Sequence, residues 1–324
     1  MVVEKAYGAY TDFRIPGIIA SEKGTLLRYC ECRKSQGDWS EIDIKASRSA
    51  DGGKTWSEVL LIEGEGNTMN NPVMFALRER LVLLYCKNYR EVYSRVSLDD
   101  GKSFSEGKRV CFDTDAHFPY TVVAVGPGHG ICHGGRLIVP VWFAYDKENP
   151  KAHRPSFVST LYSDDLGESW HLGELIYPGE LDNPSESALA ITKEGEVLIS
   201  IRHDGESKMR ALAKSADGIS AWHSLRFEEN LTDPACMGSM THSGGYIYHV
   251  NCNSPDERKN LTVKISSDGF ASCKEIKVSE AGGYSDIALL GNRLFVLYEK
   301  VVVKGPSLWD WEPICLHLDV IELS

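Results

Sequence analysis

No run of about 18 apolar residues occurs in this chain of 324 residues, so no segment reads as a membrane-spanning helix. The opening Met1-Val2-Val3-Glu4-Lys5-Ala6 lacks the apolar stretch of a secretory leader. Nine cysteines are present, an odd number, yet no C-x-x-C pair occurs and zinc-type spacing is missing; Cys30 and Cys32 form only a C-x-C. Reduced thiols and a cytoplasmic location are therefore expected, with secretion the alternative if a leader has been removed. Neither a metal-ligating set nor a cofactor motif is legible. Positive charge is scarce, with 35 Lys and Arg against 46 Asp and Glu, a net charge of −11. That argues against nucleic acid and anionic membranes as partners, and an anionic substrate would need a local basic cluster. Helical periodicity is also absent beyond short stretches. No shift in composition or Ser/Pro-rich linker divides the chain, so residues 1–324 read as one domain.

What the chain does have is a recurring turn. Ser49-Ala50-Asp51-Gly52-Gly53-Lys54-Thr55-Trp56 reads S-x-D-x-G-x-T-W. It returns at Ser97 to Phe104 and at Ser163 to Trp170, and in weaker form at Ser215-Ala216-Asp217-Gly218 and Ser266-Ser267-Asp268-Gly269. The aspartates Asp51, Asp99, Asp165, Asp217 and Asp268 lie 48, 66, 52 and 51 residues apart, a repeat spacing. Ser and Asp side chains accept hydrogen bonds from nearby backbone N–H groups, and Gly supplies positive φ. Apolar, β-branched runs flank the first copy, which places the turn inside a hairpin. Short strand-like segments fill the intervals, among them Arg80–Cys86, Arg136–Phe143, Val197–Ile201 and Arg293–Tyr298. Many short strands with five turn motifs predict an all-β, six-bladed β-propeller. The sixth blade, lacking a box, is expected to close the ring with strands from both termini, Ile314–Leu323 among them.

The turn resembles the Asp-box of the sialidase (neuraminidase) superfamily. Asp-boxes also occur in non-enzymatic propellers, so function must be sought in other residues. Phe13-Arg14-Ile15-Pro16 resembles the F/Y-R-I-P motif of sialidases. In that family an acid/base Asp sits in a loop between this strand and the first box. Asp38 fits the loop, and Asp43, which alternates with Ile42 and Ile44, is the reserve. Arg33 resembles a further substrate-facing Arg. Asn70-Asn71-Pro72 and Gly126-Pro127-Gly128-His129 resemble segments bordering the pocket, with Asn71 as a substrate contact. Glu186 followed by Arg202, Arg258 before a strand, and Gly282-Gly283-Tyr284-Ser285-Asp286 resemble the family's Glu, its remaining two triad arginines and its Tyr. Trp39, Phe118, Trp142 and Phe143 are candidate pocket walls.

What the resemblance implies is an exo-α-sialidase acting on sialylated glycans or oligosaccharides. A sialic acid carries a carboxylate on its anomeric carbon, which Arg14, Arg202 and Arg258 would bind bidentately. The same carboxylate would repel a carboxylate nucleophile, whereas a neutral Tyr284 hydroxyl avoids that repulsion. Glu186 would serve as its base and Asp38 as general acid and then base. The alternatives are a sialidase-fold glycosidase or transferase acting on another nonulosonic acid, and a propeller that binds glycans without turnover.

Overall fold

The computed structural model describes residues 1–5, 7–112, 118–303 and 311–323. All regular structure in them is β-strand, arranged as six separate sheets around an axis. In the first blade Asp12–Ala20, Leu26–Arg33, Ile42–Ser49 and Ser57–Ile62 run antiparallel from the axis outward. The second is Met69–Ala76, Leu81–Lys87, Glu91–Ser97 and Lys108–Val110, with Gly128–His129 added in parallel on the axial side. The third is Val122–Val125, Arg136–Ala144, Ser156–Ser163 and His171–Leu172, with Ile131–His133 also paired to Arg136–Ala144. The fourth is Ser187–Ile191, Val197–Ile201, Met209–Ser215 and His223–Thr232. The fifth is Ser239–Ser243, Tyr246–Cys252, Lys259–Ser266 and Lys274–Ala281. The last is Ser285–Leu290, Arg293–Lys300, Cys315–Glu322 and, outermost, Val2–Glu4.

The predicted propeller and its closure by both termini are therefore what the chain forms. Closing a sheet array into a ring leaves no long open edge at the seam. The seam is bound by charge as well: Glu4 pairs with Lys45 and, at 3.1 Å, with Arg28, all three side chains being buried or nearly so.

All five boxes lie between the third and fourth strands of their blades, and all five complete the same turn. In the first, Ser49 Oγ donates to Asp51 Oδ1 at 2.8 Å, Lys54 and Thr55 N–H groups reach the same carboxylate, and Thr55 Oγ1 caps Oδ2 at 2.6 Å. The two weaker copies are geometrically whole, with Ser220 and Ser272 supplying the hydroxyl to Asp217 and Asp268. Side-chain alternation divides the cores between blades. On Arg136–Ala144, Trp142 packs with Val158 and Leu189 on one face, and Phe143 with Val82 and Leu161 on the other.

Candidate active site

The inner strands end at one mouth of the axis, and there the chain breaks its own regularity. In the first blade a bulge interrupts pairing between Arg14 and Gly17, and in the second between Asn70 and Val73. Each bulge holds a residue directly before proline, Ile15 at φ 55° and Asn71 at φ 53°. A β-branched residue at positive φ is strained, and such strain persists only where the surroundings enforce it. Here Ile15 N–H donates to Glu299 Oε1 at 3.0 Å, and Asn71 N–H to Glu31 Oε1 at 2.9 Å. The kinks turn Arg14 and Asn71 into a cavity of about 150 Å³.

That cavity is lined by Arg14, Asp38, Asn71, Glu186, Arg202, Arg258 and Tyr284, seven of the eight residues singled out in the sequence. Glu186 precedes Ser187–Ile191 and Arg202 follows Val197–Ile201; the Arg202 N–H to Glu186 carbonyl bond of 3.2 Å closes that hairpin and brings both to the mouth. Tyr284, 5% exposed, forms the floor. Its hydroxyl donates to Glu186 and accepts from Arg202 NH1 at 2.9 Å. Arg202 also pairs with Glu186 directly. The guanidinium carbons of Arg14 and Arg258 each lie 5.2 Å from the centre of the Tyr284 ring. Burial, and then the Glu186 carboxylate, hold the phenol well above its ordinary pKa, against the opposing pull of Arg202 and Arg258.

Three donors at this mouth have no partner among the described residues: Arg202 Nε, Arg258 NH1 and, across the cavity, Trp142 Nε1. A buried donor without an acceptor is unfavourable, so these groups are available to an acceptor that enters the cavity. His153 Nε2 is a fourth unpartnered nitrogen in the lining.

Asp38 stands in the loop after Leu26–Arg33, its side chain 46% exposed. Burial by surrounding atoms would raise its pKa. Arg33, Arg14 and His153 outweigh that effect and bring it to about 2. The reserve candidate, Asp43, is instead a buried strand residue that accepts from Tyr10 and from the Gly64 N–H.

Arg33 departs from its expected position facing the substrate. It is 1% exposed and lies behind the cavity wall, donating to Glu31 through Nε at 2.9 Å and NH2 at 2.6 Å and to Asp38 through NH1 at 2.9 Å. It holds Asp38 rather than lining the cavity. Phe118 and Phe143 also lie elsewhere, in edge contact with each other in the core between the second and third blades. Trp142 does line the cavity, and Trp39 packs against Tyr89 beside it. His129 lies away from the cavity, where its Nδ1 contacts Asp286 at 2.7 Å.

Sequence reasoning missed Glu299, which is fully buried and serves three donors. They are Arg14 Nε at 2.7 Å, Ile15 N–H and the Tyr284 N–H at 3.2 Å. Only its position on the strand paired with Tyr284's own could have hinted at this. Also missed were Tyr89, His153, Arg154, Asp204 and Trp311 in the lining. They arrive on loops whose local sequence resembles any surface loop.

A family model described as BNR repeat-like domain matches residues 58–296. The chain is similar to a sialidase of Bacteroides fragilis, 26% identical over 90% of this chain and 60% of the relative. It is also similar to a sialidase of Paraclostridium sordellii, 26% identical over 89% of this chain and 81% of the relative. Among solved structures, Hadza microbial sialidase Hz136 superposes with a TM-score of 0.79 at 23% identity, over 96% of this chain and 66% of that one. The chain thus spans about three-fifths of the Bacteroides fragilis relative, and about two-thirds of the solved structure.

Proposed function

Since the chain belongs to the BNR repeat-like family of the sialidase superfamily, we propose that it is an exo-α-sialidase. It releases terminal α-ketosidically linked sialic acids from glycans or oligosaccharides, with retention of configuration. The observation that carries this reading is the Tyr284 hydroxyl, held between Glu186 and Arg202 on the floor of an arginine-lined cavity. A protein that only bound glycans would have no use for a tyrosine paired with a base.

The substrate carboxylate lies against Arg14, Arg202 and Arg258, and it satisfies the unpartnered Arg202 Nε and Arg258 NH1. This places the anomeric carbon over Tyr284. The Tyr284 oxygen bonds to that carbon as the glycosidic bond breaks. Its proton passes to Glu186, and Asp38 protonates the departing oxygen. A phenol held protonated at rest needs this concerted removal, since Glu186 is the acceptor already in contact. In the second half, Asp38 takes a proton from water, the water oxygen bonds to the anomeric carbon, and Tyr284 leaves with the proton from Glu186. Asp38, near 2 in the free protein, must carry a proton in the first half. The bound carboxylate offsets Arg14, one of the cations that depress it, so substrate binding itself raises its proton affinity.

Release of fluorophore from an aryl α-sialoside by the protein, with Tyr284→Phe alongside, tests the reading. Turnover by the unmodified protein and none by the variant is expected. Equal turnover by both would sink the nucleophile assignment. No turnover by either would turn attention first to other nonulosonic acids.

A further inference from the structure

Beneath Glu186 and Arg202 lies a cation that the chemistry above does not use. Arg210, on Met209–Ser215, is 0% exposed. Its Nε donates to Ser200 Oγ at 3.0 Å. Its NH2 donates to the Ser200 carbonyl at 2.9 Å and the Glu186 carbonyl at 3.3 Å, and its NH1 to the Cys236 carbonyl at 2.8 Å. Glu186 and Ser200 belong to the hairpin that presents the base and Arg202. Cys236 belongs to the segment entering the fifth blade. One guanidinium therefore ties the base, and the strand that ends in Arg202, to the neighbouring blade. From there, the Cys252 thiol reaches the Gly283 carbonyl, next to Tyr284, at 3.7 Å.

Stability gives little reason for a cation here. The nearest carboxylate, Asp233, is 3.7 Å away and already accepts from the Cys236 N–H at 2.9 Å and Asn251 Nδ2 at 3.1 Å. The fourth and fifth blades are joined independently by an apolar cluster of Ala188, Ala190, Leu198, Leu212, Met240 and Phe270. A buried ion pair is often replaceable by apolar or neutral residues without loss of stability when both partners change together.

On the sialidase reading, we infer that Arg210 is a positioning residue. It sets the Glu186 carboxylate against the Tyr284 hydroxyl, and its role is in turnover rather than in folding. The test compares Arg210→Met and the double variant Arg210→Met/Asp233→Asn with the unmodified protein, by turnover of the aryl α-sialoside and by thermal unfolding. The double variant removes the carboxylate that the single change would strand. The expected result is an unfolding midpoint within about 5 °C of the unmodified protein in at least the double variant. There kcat falls by about 10²-fold while KM moves by less than roughly threefold, since misplacement by about 1 Å suffices for such a loss. A folded variant keeping kcat within about twofold overturns the inference. Loss of folding in both variants overturns it too, because Arg210 would then be a structural residue. If the unmodified protein itself turns nothing over, the sialidase reading fails separately. Positioning is then judged from a crystal structure of the Arg210→Met protein. Retention of the Glu186 to Tyr284 contact refutes it, and separation of the two supports it.

Discussion

Asp38 shows how one residue's chemistry is set by the charges that the fold places beside it. Its carboxylate faces Arg33, five residues on the other side of a turn, and Arg14, on another strand. Removing either cation must raise its pKa, because the charged form loses stabilisation. Carboxyl carbon NMR should find Asp38 titrating near 2 in the free protein. The value should be higher in Arg33→Gln, and higher again when a carboxylate-bearing sialic acid analogue saturates the cavity. A titration that ignores both changes would mean that the arginines do not control it. Glu299 acts at the same scale. It holds Arg14, the Ile15 kink and the Tyr284 backbone at once, so one buried carboxylate couples Arg14 to Tyr284.

At the scale of the element, the Asp-box is a self-contained turn. Hydrogen bonds from Ser103 and Ser272 lower Asp99 and Asp268 to about 2, and Asp217 reaches about 2 through its backbone and hydroxyl donors despite opposing burial. Asp51 and Asp165 are lowered further by the Thr55 and Ser169 hydroxyls. An unfolded Asp titrates near 3.9, above each of these, so each box contributes stability that is present above about pH 4. That contribution is lost as pH falls through about 2. Denaturant midpoints measured from pH 6 downward should stay level and then drop below about pH 4, and Asp99→Asn should lessen the drop. Four of these aspartates are exposed and Asp217 is half-buried, which keeps each contribution modest and salt-sensitive. The turn needs only Ser, Asp and a following hydroxyl, which is why the two copies that look degenerate in sequence fold like the others.

For the whole molecule, closure of the ring is the decisive event. The outer strand of the last blade is Val2–Glu4, so strands from the two ends of the chain pair within one blade. Glu4 fastens the seam through Lys45 and Arg28. Replacing Glu4 by Gln leaves two cations close together with no carboxylate partner. It should destabilise the protein by roughly 3 kcal/mol in denaturant unfolding, with little rescue by salt because the pair is buried. A change below about 0.5 kcal/mol would assign closure to backbone pairing alone.

By itself the sequence determined the repeat, the propeller, the ring closure and, in the cavity, Arg14, Asp38, Asn71, Glu186, Arg202, Arg258 and Tyr284. Strand alternation and turn chemistry are local, and an arginine, glutamate or tyrosine at the end of an inner strand must emerge at the mouth of the axis. Only the tertiary structure decided which charges meet. It put Arg33 behind the wall as a support for Asp38, kept Phe143 in the core while its neighbour Trp142 reached the cavity, and brought Glu299 against Arg14 and Arg210 against the backbone of Glu186. The partners in those contacts lie from five to 285 residues apart along the chain. No periodicity records them, because a buried carboxylate and a solvated one look alike until folding removes the water from one of them.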